Sequence, residues 1–138
     1  SGNRHHLRYQ ITRALTPVQI SGGVEAGFTD ATAAWSRVAD RAIFTEITTD
    51  ILPGLLSLSA HYGTADYAHA NPSHGNRRRQ DIIRQMTIKH RMGLNGWSVP
   101  KPNEPSLTIN IGATNQSSNI ENYSRNSGEI SLVLTRYF

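Results

Sequence analysis

The sequence predicts an all-β chain, an antiparallel meander of about seven strands forming part of a transmembrane β-barrel. Three observations predict it. Apolar and polar residues alternate with period two in seven separate runs, the signature of strands with two unlike faces. The polar positions of those runs include Glu25, Glu46, Asp50, Lys89 and Arg91, which suits a wet lumen better than a dry core. Short turns and long polar connections alternate along the chain, as they do between the two rims of a membrane barrel.

The elements follow in order. In the first strand Leu7, Tyr9 and Ile11 alternate with Arg8, Gln10 and Thr12. After Thr16-Pro17, Val18, Ile20, Val24, Ala26 and Phe28 alternate with Gln19, Ser21, Gly23, Glu25 and Gly27. The third run sets Ile43, Thr45, Ile47, Thr49 and Ile51 against Phe44, Glu46, Thr48 and Asp50. Past Leu52-Pro53-Gly54, the fourth sets Leu56, Leu58, Ala60 and Tyr62 against Ser57, Ser59 and His61. The fifth opposes Ile82, Met86, Ile88 and Met92 to Gln85, Thr87, Lys89 and Arg91, with Arg84 and His90 interrupting its apolar side. In the sixth, Leu107, Ile109, Ile111 and Ala113 alternate with Thr108, Asn110, Gly112 and Thr114. The seventh carries Ile130, Leu132, Leu134 and Phe138. Polar segments 30–40, 68–80 and 116–127 are expected as long loops on one rim; residues 95–105 form a connection longer than that scheme wants. Residues 30–44 fit either a short loop helix or a strand extension.

Composition narrows the function classes. The chain has 138 residues, enough for one domain spanning 1–138, and a net charge of +4. It has no cysteine, which excludes a disulfide, a thiolate metal site and a Cys nucleophile. No run approaches the roughly 18 apolar residues of a spanning helix, but a barrel strand needs only about 10. The pI near 9.9 raises nucleic acid as a partner, yet the only dense basic run is Arg77-Arg78-Arg79, without interleaved aromatics, so none is expected. No hydrolase, P-loop, dinucleotide or zinc-protease motif occurs. Segments LRYQIT, ATAAWSRV and FTEI are faintly similar to the start of a matrixin protease, but the zinc helix is missing. No enzyme and no cofactor are expected. His5-His6 reads as solvated loop residues rather than a metal clip. His61 falls on the polar, lumen face and His90 on the lipid face near a rim. Trp35, Trp97, Tyr9, Tyr62, Tyr67, Tyr123 and Tyr137 suit interfacial girdles.

The terminal run GEISLVLTRYF resembles the carboxy-terminal signal of bacterial outer-membrane proteins that the barrel-assembly machinery reads. Ile130, Leu132, Leu134 and Phe138 match it; Arg136 departs, and Tyr137 sits one place late. Seven strands are an odd number against an even-numbered rule. The chain is therefore expected to be the carboxy-terminal portion of a larger barrel, with SGNRHHL as the remnant of a surface loop and both sheet edges completed by remaining barrel strands.

The last third is similar to a family. The run GWSVPKP…SLTINIGATNQSSNIENYSRNSGEISLVLTRYF resembles the end of surface lipoprotein assembly modifiers (Slam proteins), through Trp97, Ser118-Asn119, Tyr123-Ser124-Arg125 and Phe138. Gly75 and Arg77-Arg78-Arg79-Gln80-Asp81 are also similar, and the likeness is best over 54–138. The resemblance implies a barrel of about fourteen strands in the bacterial cell outer membrane. It implies a protein that helps lipoprotein cargo reach the cell surface, with a helical-repeat domain upstream. On this reading Glu25, Glu46, Asp50, His61, Gln85, Lys89, Arg91 and Asn110 face the lumen. Arg77, Arg78 and Arg79 lie in a loop where they could meet lipopolysaccharide phosphates, although a solvated charged loop is the plainer reading. The rival functions are an exopolysaccharide-export barrel, which would want a track of lumen aromatics and carboxylates, and a soluble β-sandwich binding module.

Overall fold

The computed structural model describes residues 2–31, 36–50, 53–71, 77–95 and 97–136. Trp35, Ile51, Gly75, Tyr137 and Phe138 lie outside them, and with Phe138 the end of the assembly signal. The chain forms one sheet in the order β1 to β7, every neighbouring pair antiparallel. The strands are β1 (Gly2–Leu15), β2 (Val18–Ala31), β3 (Val38–Thr49), β4 (Leu55–Asn71), β5 (Arg77–Gly93), β6 (Ser106–Ser118) and β7 (Arg125–Thr135). A 3-10 turn, Glu121–Tyr123, precedes β7. The sheet is open: among the described residues β1 and β7 each have one unpaired side.

All seven expected strands are present, but their ends differ from expectation. β1 begins at Gly2, paired to Ala31, so the first residues are strand rather than loop. The polar segments expected as long loops are strand at both of their ends: β2 reaches Ala31, β3 starts at Val38, β4 runs to Asn71, β5 starts at Arg77, β6 reaches Ser118 and β7 starts at Arg125. In the ambiguous 30–44 segment, the described residues from Val38 onward are strand, which favours extension over a helix there. The reason is that hairpin pairing satisfies backbone groups whether or not side chains are apolar. Loss of apolar alternation therefore marks the end of the apolar band and not the end of the strand. The long connection is instead 94–105, on the rim that carries the Thr16-Pro17 turn. Short and long connections consequently do not sort to opposite rims.

Register assigns the faces. Residues directly opposite share a face, and the faces alternate along each strand. One face, called outward from here on, carries a continuous row of Ile20, Ile47, Leu58, Ile88, Ile111 and Ile130. These side chains are not covered by another layer: Ile20, Leu58, Ile88 and Ile111 are 41%, 42%, 45% and 47% exposed, and Ile130 on the edge strand is 77% exposed. Among the described residues, the buried ones are mainly polar, and Asp81, Ser106, Thr108 and Gln116 among them lie on the opposite face.

The edge of the apolar band crosses the hydrogen-bonded rows obliquely. Its last apolar residue towards the 119–124 rim is Leu7 on β1, Ile43 on β3, Tyr62 on β4, Met86 on β5, Ala113 on β6 and Ile130 on β7. Beyond them come His5, Arg41, Thr64, Arg84, Asn115 and, past Gly128, Asn126. The exceptions are Phe28, Ala39, Ile82 and, past the β4 irregularity, Ala70. The row of Ile130 meets β1 at Arg13, six residues (13 − 7) past Leu7, across six strand pairings. That is one residue per strand. With about 3.3 Å per residue and about 4.8 Å between strands, the border slopes by about 35° to the rows.

Candidate functional site

The polar face carries three organised clusters. The first lies near the 119–124 rim. Period two puts Arg79 and Asp81 on the same side of β5, and pairing puts Ala65 of β4 and Ser118 of β6 beside Asp81. Arg79 donates from Nε to both Asp81 oxygens at 2.9 Å, and its Nη2 pairs with Oδ2. The guanidinium lies between two rings, 4.5 Å from the Tyr67 centroid and 3.7 Å from that of Tyr123. Gln116 Nε2 donates to Asp81 at 2.7 Å, and Arg125 Nε donates to Gln116 Oε1 at 3.0 Å. Asp81 is only 2% exposed. A carboxylate so buried persists because a fork of donors replaces its water. The cluster ties β4, β5, β6 and β7 together and leaves Arg79 engaged inside. Arg78 is on the outward face, its Nε donating to the Tyr67 carbonyl at 2.6 Å, and Arg77 is exposed.

The second cluster is central. Glu25 of β2 accepts charge from Arg8 of β1 at 3.2 Å and lies 3.7 Å from both His6 and His61. Arg8 stacks on Phe44 at 4.0 Å. Small residues permit this reach across strands. A Cβ on Gly23 would come within 2.8 Å of the Phe44 ring, and one on Gly27 within 2.5 Å of the Asp40 carboxylate. The His61 Nδ1 is buried without a hydrogen-bond partner. Among the described residues no group of histidines and carboxylates has metal-binding geometry.

The third cluster is the 94–105 connection. Glu104 accepts the backbone N–H groups of Lys101 at 2.8 Å and Asn95 at 3.0 Å. The loop is also held by Gly93 N–H to the Ser98 carbonyl and Leu94 N–H to the Pro105 carbonyl. A Cβ on Gly93 would meet the Glu104 carboxylate at 2.7 Å. Glu104 therefore folds back over the polar face, where Gly93 and Ser106 are buried, Ser106 completely. The bond from Lys101 N–H, reinforced by that from Asn95, holds the Glu104 carboxyl below its ordinary range despite partial desolvation. A carboxyl depressed in the folded state contributes stability above its unfolded pKa of about 4.3, and loses it as pH falls through the lower folded value. The loop is therefore expected to stay ordered at neutral pH and loosen only under strong acid. Glu104→Ala should loosen it at neutral pH. Trp97 emission in a Trp35→Phe background reports this; an unchanged Trp97 anisotropy in Glu104→Ala would contradict the clamp.

The register sorts the expected lumen residues. Glu25, Glu46, His61, Gln85, Lys89, Arg91 and Asn110 share the polar face. Asp50 follows the end of β3 and is exposed, outside the sheet. Asn110 Nδ2 donates to Ser131 at 3.1 Å, Arg91 Nε to Ser106 at 3.3 Å, and Thr48 to Glu46 at 3.5 Å. Ile130, Leu132 and Leu134 share the outward face with Ile109 and Ile111. His90, also outward, lies 2.8 Å from the Pro53 carbonyl. Sequence reasoning missed the Asp81 network and the Glu104 clamp. The first had a signal, an Arg-x-Asp pair at strand spacing; the second had none.

No family model matches the chain, and no match was found among curated proteins or solved structures.

Proposed function

We propose that this chain is seven strands of the wall of a bacterial outer-membrane β-barrel, its outward face in lipid and its polar face on an aqueous lumen. The oblique apolar border carries the proposal. Strands of a closed barrel tilt by about 35–45° from the axis, so a membrane-parallel apolar band must cross hydrogen-bonded rows at about that slope. A sandwich core has no reason to shear its apolar face in this way. The area argument agrees: burying each Leu or Ile is worth about 1.5–3 kcal/mol, and this sheet leaves a whole contiguous face uncovered.

The two free edges bear on what completes the wall. β1 and β7 run in the same direction, so antiparallel closure takes an odd number of further strands. A second copy inserted in the same orientation would pair β7 with β1 in parallel. The partners of both edges are thus further barrel strands, because lipid offers no hydrogen bonds.

The more specific reading is delivery of lipoproteins to the cell surface, which rests on the resemblance of residues 54–138 to the Slam closing segment. The export alternative loses support from the lumen aromatics, since Tyr67 and Tyr123 are stacked on Arg79 and Phe44 on Arg8 rather than forming a free track. The test is surface display. Cells lacking the protein should keep their lipoproteins protected from added protease, with display restored by the complete gene; normal display without it would contradict the reading.

A further inference from the structure

The outward face has features that a uniform lipid wall does not require. Arg84 of β5 and Arg41 of β3 stand immediately beyond the apolar border, two strands and two residues of register apart. Both are exposed, and among the described residues neither has a carboxylate partner. Arg84 Nη1 donates to Asn115 Oδ1 at 3.4 Å, and its guanidinium lies 6.0 Å from the Tyr62 ring centroid. Below Arg84 the surface is furrowed rather than smooth. One groove of about 320 Å³ runs over Thr45 and Ala60, walled by Ile43 and Tyr62. A second of about 410 Å³ runs over Ala113 and Gly128. Met86 is the ridge between them, and Arg84 stands at the head of both.

We propose that this is a binding site for a phosphorylated, multi-acyl glycolipid of the lipid A kind, with phosphate on Arg84 and Arg41 and acyl chains in the two grooves. The inference rests on the lipid-facing reading of the outward surface. The arginine fork matches phosphate bidentately, and an unpaired guanidinium at the border of hydrocarbon needs an anion. Two separated grooves and two cations fit a bisphosphorylated lipid with several chains better than a glycerophospholipid with one phosphate. The site also lies on the 119–124 side of the band, the rim on which the sequence reading places the surface loops. The Arg77–Arg79 run does not provide this site, because Arg79 is inside, paired with Asp81.

Native mass spectrometry of the full chain in detergent tests it, with three probes: bisphosphorylated lipid A, its dephosphorylated form, and dioleoylphosphatidylglycerol. The first should bind best. Arg84→Gln should weaken that binding about tenfold, the worth of one charge-assisted bidentate contact, and Arg84→Lys should fall between. Ala113→Leu, which fills a groove without touching charge, should also weaken it, whereas Arg78→Gln should leave it unchanged. Equal binding by Arg84→Gln, or equal binding of all three lipids by the unaltered chain, overturns the site while leaving the lipid-facing wall intact. A chain that takes up no lipid of any kind overturns both.

Discussion

Ile88→Arg is expected to destabilise the protein in lipid by about 2–4 kcal/mol, while Thr87→Arg, one residue away, should be close to neutral. The pleat makes the difference. Ile88 sits in the middle of the outward row between Leu58 and Ile111, whereas Thr87 lies between Ser59 and Gly112 on the polar face. An arginine at Ile88 would be surrounded by apolar side chains, with Met86 next to it on its own strand face and Leu58 and Ile111 directly across. At Thr87 the same side chain enters water, with Glu46 in the same row. Chemical unfolding in a defined bilayer measures both. Equal costs at the two positions would mean that the faces do not meet different solvents.

Asp81→Ala should cost about 3 kcal/mol, at the low end for breaking a buried ion pair, because Arg79 keeps its two aromatic neighbours. The substitution removes the acceptor for both Arg79 and Gln116. It leaves a guanidinium whose side chain is only 18% exposed without a counter-charge. Gln116→Ala, which removes one donor and leaves the ion pair, should cost far less. Both can be read as shifts in urea midpoint at constant slope. A loss below about 1 kcal/mol for Asp81→Ala, the size of an exposed pair, would show that the network is not what joins β4 to β7 at that rim.

Much of the fold was legible because period two is a property of each strand by itself. Ile43, Ile47, Leu58, Ile88, Ile111 and Leu132 declare the outward face without knowledge of any partner, and Glu25, Gln85 and Asn110 declare the other. Strand ends were not legible. Residues such as His5, Asp66 and Gln80 pair in the sheet although their polarity resembles a loop, because the backbone ladder is indifferent to side chains. The clusters depended on register. Arg79 and Asp81 are visible as neighbours on one side of β5, but Gln116 lies 35 positions away from Asp81 and Arg125 reaches it only through β7. Arg84 reads in sequence as an interruption of an apolar run. Only the alignment of Tyr62, Arg84 and Asn115 in one row shows it standing at a border.

The row through Tyr9, Val24, Ile43, Tyr62, Arg84, Asn115 and Asn126 tests the central claim most directly. The chain has no cysteine, so single cysteines can carry nitroxide labels at these positions one at a time. Power-saturation accessibility to oxygen and to a water-soluble nickel complex then reports depth at each in a lipid bilayer. A tilted barrel wall predicts a gradient along this single hydrogen-bonded row: oxygen-accessible at Tyr9, Val24 and Ile43, crossing over near Tyr62 and Arg84, and nickel-accessible at Asn115 and Asn126. A row that is uniform from end to end, or whose apolar positions are shielded from both reagents by a covering protein layer, would contradict it.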